Sequence, residues 1–463
     1  MTEQPAAEQQ RTRVDRGDEL ELRIESLANG GNGIARVPLG ERSYVIFVRD
    51  TVPGDLVRVQ VTKRKRGYAE ARPLELIEAG PDRIEPVADH PGASWQVLRY
   101  ERQLEIKSEQ VDDALRRIGH LSDFELQPII PAVEQWRYRN KLEYSFGVED
   151  DGTLCCGFHA PGSWSRILPI DDCMLASEAG NAIRQAALEV CQQLELTAYD
   201  RRTHEGLLRN LVVREGRRTG QIQVRLVTSP GDFDERRFAD VMTEAGATSV
   251  IRTVAPGSGE TTHGGTDTLL DGIGSIEEHC SGLSFTLSSE AFFQTNTEMA
   301  EKLYEVVGEY AALKGWERVY DLCCGIGSIG LTLAPRAGEV IGIEIVEQAV
   351  LAAQRNARSN EITNARFVAG NIRVVLKEGV DQLGRPDVIV LDPPRSGLSA
   401  KVIGRVAEAG AKRIVYVSCN PTTLAPNAEQ LVQAGYRLVS VRPVDMFPQT
   451  PHIECVALLE RQA

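Results

Sequence analysis

From Phe292 onward the chain alternates short strand-like segments with helix-like ones, and this alternation leaves few folds open. The segments VYDL, EVIGIEI, ARFVAG, DVIVLD and RIVYVS are mostly apolar, and between them lie stretches of helical spacing such as Glu347–Ser359. Unbroken apolar strands are buried on both faces, and parallel neighbours need a helical crossover between them. Residues 290–463 are therefore expected to form an α/β domain built on a doubly wound, Rossmann-like sheet. Two last segments, YRLVSVRPV and HIECVALLE, are joined by a loop too short for a crossover, so both read as antiparallel additions at one edge.

At 463 residues the chain holds more than one domain. Residues 18–77 carry short alternating β segments punctuated by NGGNG and TVPGD, the pattern of a small barrel of oligonucleotide-binding type. Lys63, Arg64, Lys65 and Arg66 stand beside Tyr68, and on a barrel face such a group grips phosphates and stacks a base. Residues 78–127 read as a proline-containing linker followed by one helix over 97–118, and residues 128–289 as an α+β domain. Residues 1–17 are polar and read as a disordered tail without the apolar core of a signal peptide.

No run approaches the ~18 apolar residues of a membrane span, and nine cysteines with no CxxC pair suit neither a disulfide scaffold nor a structural zinc site. A cytoplasmic monomer is expected. The net charge of −14 argues against indiscriminate nucleic-acid binding but leaves room for a local basic face.

The first strand of the C-terminal domain runs into Asp321, Leu322, Cys323, Cys324 and then Gly325, Gly327 and Gly330, a G-x-G-x-x-G between strand and helix. Without side chains the backbone approaches a ligand at the helix N-terminus. Glu344 ends the second strand, 19 residues after Gly325, placed for the hydroxyls of a ribose. A nicotinamide dinucleotide and S-adenosylmethionine both suit this loop. Asp392, Pro393, Pro394 and Arg395 follow the fourth strand, where ligands sit in such sheets. A carboxylate backed by two prolines makes a stiff lip beside the reactive end of a cofactor, which favours methyl transfer to a nucleobase.

Cys419 ends the fifth strand in front of Asn420 and Pro421, and Glu454 begins the last one. Carbon 5 of uracil is a poor nucleophile; a thiolate added at carbon 6 turns the ring into an enolate that attacks from carbon 5. A base must then remove the carbon-5 proton before the thiol leaves. One cysteine and one carboxylate at the same sheet edge meet both demands, and Cys419 and Glu454 are the candidates.

On these residues the chain resembles the RNA uracil-C5 methyltransferases, which make 5-methyluridine in ribosomal and transfer RNA. Residues 18–77 are similar to the TRAM domain, an RNA-binding barrel. Tyr138 to Lys141 and Gly157 to His159 are similar to central-domain signatures. Phe292 to Gln294, Asp321 to Gly327, Asp392 to Arg395, Ser418 to Pro421 and His452 to Glu454 follow the catalytic signatures in order. The resemblance implies Cys419 as nucleophile, Glu454 as base, and Gln294, Cys323, Gly325, Gly327, Glu344 and Asp392 around S-adenosylmethionine. The family commonly has tyrosine at the position of Cys323. It also implies an RNA substrate, large-subunit ribosomal RNA first and transfer RNA second.

One departure is plain. Ribosomal relatives hold a [4Fe–4S] cluster through C-x5-C-x2-C and a later cysteine, whereas residues 86–95 contain no cysteine and Cys173 alone matches a ligand. No cluster is expected, since a cubane needs about four thiolates. An NAD-type oxidoreductase resting on the glycine loop, and a non-catalytic RNA-binding factor resting on the barrel, are the rival readings.

Overall fold

The computed structural model describes residues 13–462 except 41, 89, 256, 258 and 260, so the tail expected over residues 1–12 lies outside the described residues. The chain divides into two compact units, one formed by residues up to Ala88 with Ala93–Gln110 and Pro448–His452, the other by Asp89–Gly92, Val111–Phe447 and Ile453–Ala463.

In the first unit six strands form one sheet, in spatial order Glu19–Arg23, Leu56–Arg64, Tyr68–Glu78, Arg42–Val48, Gly33–Leu39, Ser26–Leu27. The first and last of these are halves of one run bent at Ile24 and Glu25. The front half pairs with Leu56–Arg64 and the rear half with Gly33–Leu39, which closes the sheet into a barrel. Alternate residues such as Leu20, Leu22, Val57, Val59 and Val61 fill the interior. Val14 is packed among them, so ordered structure begins ahead of residue 18.

Asp55 holds the barrel's base. It is fully buried, accepts from the amides of Val52 and Gly80 at 2.8 Å each, and pairs with Arg83 at 2.7 Å. Burial alone would raise its pKa, but the Arg83 hydrogen bonds and the two amides outweigh it and leave the carboxyl below the ordinary aspartate value. The helix over Tyr100–Asp113 ends in a π-helical turn, Ala114–Ile118, closed by the Gly119 amide on the Ala114 carbonyl.

In the second unit a seven-stranded central sheet runs Ile167–Pro169, Leu154–His159, Lys141–Val148, Leu208–Glu215, Ile222–Thr228, Ser249–Val254, Thr266–Gly272. Helices Glu178–Gln193 and Glu235–Glu244 share a core with one face of it, through residues such as Leu142, Tyr144, Ile183, Leu226 and Phe238.

The C-terminal sheet holds strands β1 (Arg318–Leu322), β2 (Glu339–Glu344), β3 (Ala365–Ala369), β4 (Val388–Leu391), β5 (Arg413–Ser418), β6 (Tyr436–Val444) and β7 (Glu454–Arg461). Their order is β3-β2-β1-β4-β5-β7-β6, with Glu125–Leu126 added beyond β6. Strands β1 to β5 are parallel, as their apolar runs predict. Val319, Val340, Val390 and Val415 pack into one core and Tyr320, Ile341, Ile389 and Ile414 into the other, so both faces are buried.

The expectation of two antiparallel edge strands needs correction. Only β7 runs antiparallel, between β5 and β6, and β6 pairs in parallel with Glu125–Leu126. Two strands joined by a tight reversal cannot share one direction, and β7 takes the interior place.

Asp55 yields a test by pH and by substitution. A folded-state value below the unfolded one, about 3.9, stabilises the barrel fully above that pH and is lost as pH falls through the folded value. The resistance of the first unit to chemical unfolding should weaken below about pH 4. Asp55→Ala, which strands Arg83, should cost on the order of 3 kcal/mol at neutral pH and flatten that acid limb.

Candidate active site

The catalytic candidates Cys419 and Glu454 sit at the edge of the C-terminal sheet where the parallel strands end, Cys419 after β5 and Glu454 at the start of the antiparallel β7. The loop after β1 makes its turn through left-handed residues, Cys323 at φ 64°, Gly325 at 53° and Gly327 at 85°. A side chain at Gly325 would meet nothing within 4 Å, so its face of the loop is open; one at Gly327 would strike the Phe367 ring at 3.0 Å. Glu344, ending β2, accepts from the Gly325 amide at 3.1 Å and the Val346 amide at 2.9 Å through different oxygens. Each oxygen keeps a lone pair for a further donor.

Asp321, beneath this loop, is not among the candidates but shares their buried, acid-rich setting. It is fully buried, and its Oδ2 accepts from the Gly330 amide at 2.9 Å while Oδ1 has no hydrogen-bond partner among the described residues. Burial, with Asp392 and Glu344 adding to it, pushes its carboxyl up to about 7 against the pull of the Gly330 amide. Its place at the end of a strand, just ahead of the glycines, was the available signal. Cys323 is half-buried, and burial followed by the charges of Glu344 and Asp392 pushes its thiol up to about 12.

Asp392 follows β4, its amide 3.3 Å from the Leu322 carbonyl, and desolvation pushes its carboxyl up to about 7 although part of the residue reaches the surface. The proline lip behind it is tied down. The Arg395 carbonyl accepts from Asn420 Nδ2 and Thr423 Oγ1, both at 3.3 Å. Asn427 accepts from the Leu398 amide at 2.9 Å and from the Tyr416 hydroxyl at 2.8 Å. Sequence reasoning passed over Asn427, since one asparagine inside a helix carries no local signal.

Cys419 stands between β5 and helix Pro421–Gln433. Asn420 caps that helix, accepting from the Thr422 amide at 3.1 Å, and Pro421 occupies its first turn. The thiol thus sits beside a helix N-terminus, a place that favours thiolate. Register supplies its neighbour. Ser418 of β5 lies opposite Cys455 of β7, so one step outward Cys419 adjoins Glu454. Opposed residues of an antiparallel pair present their side chains on one face about 5 Å apart.

Glu454 is buried, and that burial, with the nearby Asp392, holds its carboxyl well above the ordinary range. The Cys419 thiol is pushed up to about 11 by burial, then by Glu454 and Asp392, with Arg395 opposing. Gln294 is buried, and its carbonyl accepts from Asn140 at 2.9 Å. The helix that follows it, Thr297–Ala311, is capped by Asn296.

Residues 276–462 match the model of the tRNA (uracil-5-)-methyltransferase family, and residues 13–74 that of the TRAM domain. An uncharacterized RNA methyltransferase of Halalkalibacterium halodurans is 37% identical, covering 97% of this chain and 99% of its own. One of Bacteroides thetaiotaomicron is 38% identical over 94% of this chain and 100% of its own. The chain belongs to the RNA uracil-C5 methyltransferases.

Among solved structures of such enzymes, the tRNA (uracil-54, C5)-methyltransferase of Pyrococcus abyssi, in complex with S-adenosyl-L-homocysteine, superposes with a TM-score of 0.77. It is 28% identical and covers 95% of this chain and 100% of its own. This chain is thus an S-adenosylmethionine-dependent RNA uracil-C5 methyltransferase with a TRAM domain. Its residues do not fit an iron–sulfur cluster: Cys173 is buried with its Sγ 3.1 Å from His90 Nε2. Among the described residues no three His, Cys, Asp or Glu side chains are grouped to hold a metal ion.

The two loop glycines should respond unequally to alanine. Gly325→Ala meets only left-handed strain and should cost about 1 kcal/mol. Gly327→Ala adds the overlap with Phe367 and should cost roughly 2–4 kcal/mol. Denaturant unfolding of the two variants checks this; equal losses would show that the Phe367 ring yields.

Proposed function

We propose that this methyltransferase acts on carbon 5 of an RNA uridine through a transient bond between Cys419 and carbon 6, with Glu454 taking the carbon-5 proton. The observation that carries the reading is the β5–β7 register, which sets thiol and carboxyl side by side at the sheet edge that also bears Asp392.

In this reading the Cys419 thiolate adds to carbon 6, and the electron pair of the 5,6 double bond moves to form the enolate. S-adenosylmethionine supplies the electrophilic methyl group that carbon 5 takes up. The Glu454 carboxylate removes the carbon-5 proton, the freed pair restores the double bond, the carbon–sulfur bond breaks, and Cys419 leaves as thiolate. A carboxyl held well above its ordinary range is a correspondingly stronger base once ionised. The residues at the glycine loop suit the cofactor. Glu344 keeps lone pairs for ribose hydroxyls, Gly325 presents open backbone, and Cys323 contributes main chain. Asp392 and Gln294 complete the set.

The barrel cluster from Lys63 to Arg66 supports RNA binding, and nine unpaired cysteines support a reducing, cytoplasmic setting. Large-subunit ribosomal RNA is the first reading of the substrate. The Pyrococcus abyssi enzyme, which the chain matches over 95% of its length, favours transfer RNA as a second reading.

Cys419→Ala should abolish both methylation and covalent capture of 5-fluorouridine RNA, whereas Glu454→Gln should accumulate a methylated covalent adduct visible on a denaturing gel. A Cys419→Ala variant that still methylates RNA sinks the covalent route. Mapping 5-methyluridine in ribosomal and transfer RNA with and without the gene separates the two substrates. In the free protein, iodoacetamide labelling of Cys419 should rise about tenfold per pH unit from pH 7 to 10, because the thiolate alone reacts. A flat profile would show that its thiol titrates lower.

A further inference from the structure

The central sheet bears a cavity of about 310 Å³ that the chemistry above does not use. Val148, at the end of strand Lys141–Val148, lines it together with Trp164, Arg166, Tyr199, Arg201 and Arg202. Its volume lies at the small end of the roughly 300–1,000 Å³ range of small-ligand pockets, the scale of one nucleotide and not of a duplex.

Trp164 is 62% exposed and Val148 60%, a large apolar surface to leave in water. The tryptophan is not on a loose loop. Its turn is closed by the Ala160 amide donating to the Arg166 carbonyl at 2.8 Å. Within the turn the Ser163 hydroxyl accepts from the Arg166 amide at 3.0 Å. The ring is therefore presented outward by a turn that bonds to itself.

Beside it two exposed arginines, Arg166 and Arg202, accompany one carboxylate, Asp200, while Arg201 is buried and donates to the Phe146 carbonyl at 3.4 Å. That carboxylate is already engaged by the amides of Arg202 and Thr203 at 2.7 and 3.2 Å, and it lies 3.9 Å from the Arg202 guanidinium. The Arg202 side chain is 82% exposed, and Arg166 is exposed as well. In a chain of net charge −14, such a local excess of cations beside an open aromatic ring is not background.

We infer that this recess binds one nucleotide of single-stranded RNA outside the reaction centre, its base stacked on Trp164 and its phosphates held by Arg166 and Arg202. An aromatic face with flanking cations takes any unstacked base, and a paired base has no free face to offer. The recess lies on the central sheet and neither Cys419 nor Glu454 lines it, so the bound nucleotide is not the target uridine. The inference rests on the reading that the substrate is RNA.

The test titrates the full-length protein with a labelled single-stranded decauridylate, followed by fluorescence anisotropy at several salt concentrations. Trp164→Ala should weaken binding roughly 5- to 150-fold, the range that one base–aromatic stack represents, and Trp164→Phe should restore most of it. Arg166→Ala with Arg202→Ala should lower the slope of log affinity against log salt by about 1.4, or about 0.7 for each phosphate no longer neutralised. Affinity for S-adenosylmethionine and the melting temperature, unchanged in all variants, show that the fold is intact.

Unaltered RNA affinity in both variants overturns the inference. Unaltered affinity with a changed elution volume in Trp164→Ala also overturns it, assigning the ring to a protein contact instead. A wild-type protein that neither binds nor methylates RNA refutes the proposed function. Wild-type methylation with an indifferent Trp164→Ala refutes the nucleotide site alone.

Discussion

The last strand enters the C-terminal sheet antiparallel, between β5 and β6, and the proposed reaction centre depends on the register it adopts there. Ser418 opposite Cys455 puts Cys419 next to Glu454. A slip of one residue would turn the Glu454 side chain to the other face of the sheet. The slip is prevented by burial, since Cys455, Val456, Ala457 and Leu459 are each inaccessible and divide between the two cores. The apolar content of β7 thereby sets the position of a polar group at its first residue.

The same burial shapes the electrostatics. Asp321, Asp392 and Glu454 are all held above the ordinary carboxylate range, and the Cys323 and Cys419 thiols are raised with them, burial being the largest cause throughout. Acids crowded into a low-dielectric edge keep their protons until a positive charge arrives. In the proposed reaction the sulfonium of S-adenosylmethionine is such a charge, and its approach would ease ionisation of Cys419 and Glu454 together. The helix after Cys419 and the nearby Arg395 act in the same direction from the protein side.

Much of the fold was legible in local patterns. Five apolar strands separated by helical segments specify a parallel sheet, and turn residues between short alternating segments specify a small barrel. The site was legible where a motif joins chemistry to a strand end, as at Gly325, Asp392 and Cys419. What local pattern missed has a common cause. Asn427 matters through bonds to Leu398 and Tyr416, and Asp55 through Arg83, residues distant in sequence. Asp321 draws its significance from an oxygen left unpartnered by burial. None of these relations has a period or a spacing.

The sequence by itself determined the doubly wound sheet, the glycine turn, the thiol at the end of β5 and the absence of the cysteines that an iron–sulfur cluster requires, because each follows from residue type and neighbouring spacing. Only the tertiary structure decided that β7 lies inside the sheet, that Glu454 adjoins Cys419, and that Trp164 shares a recess with arginines about 40 residues further along. Strand order and side-chain convergence are settled by which surfaces bury one another, and that competition involves the whole chain at once.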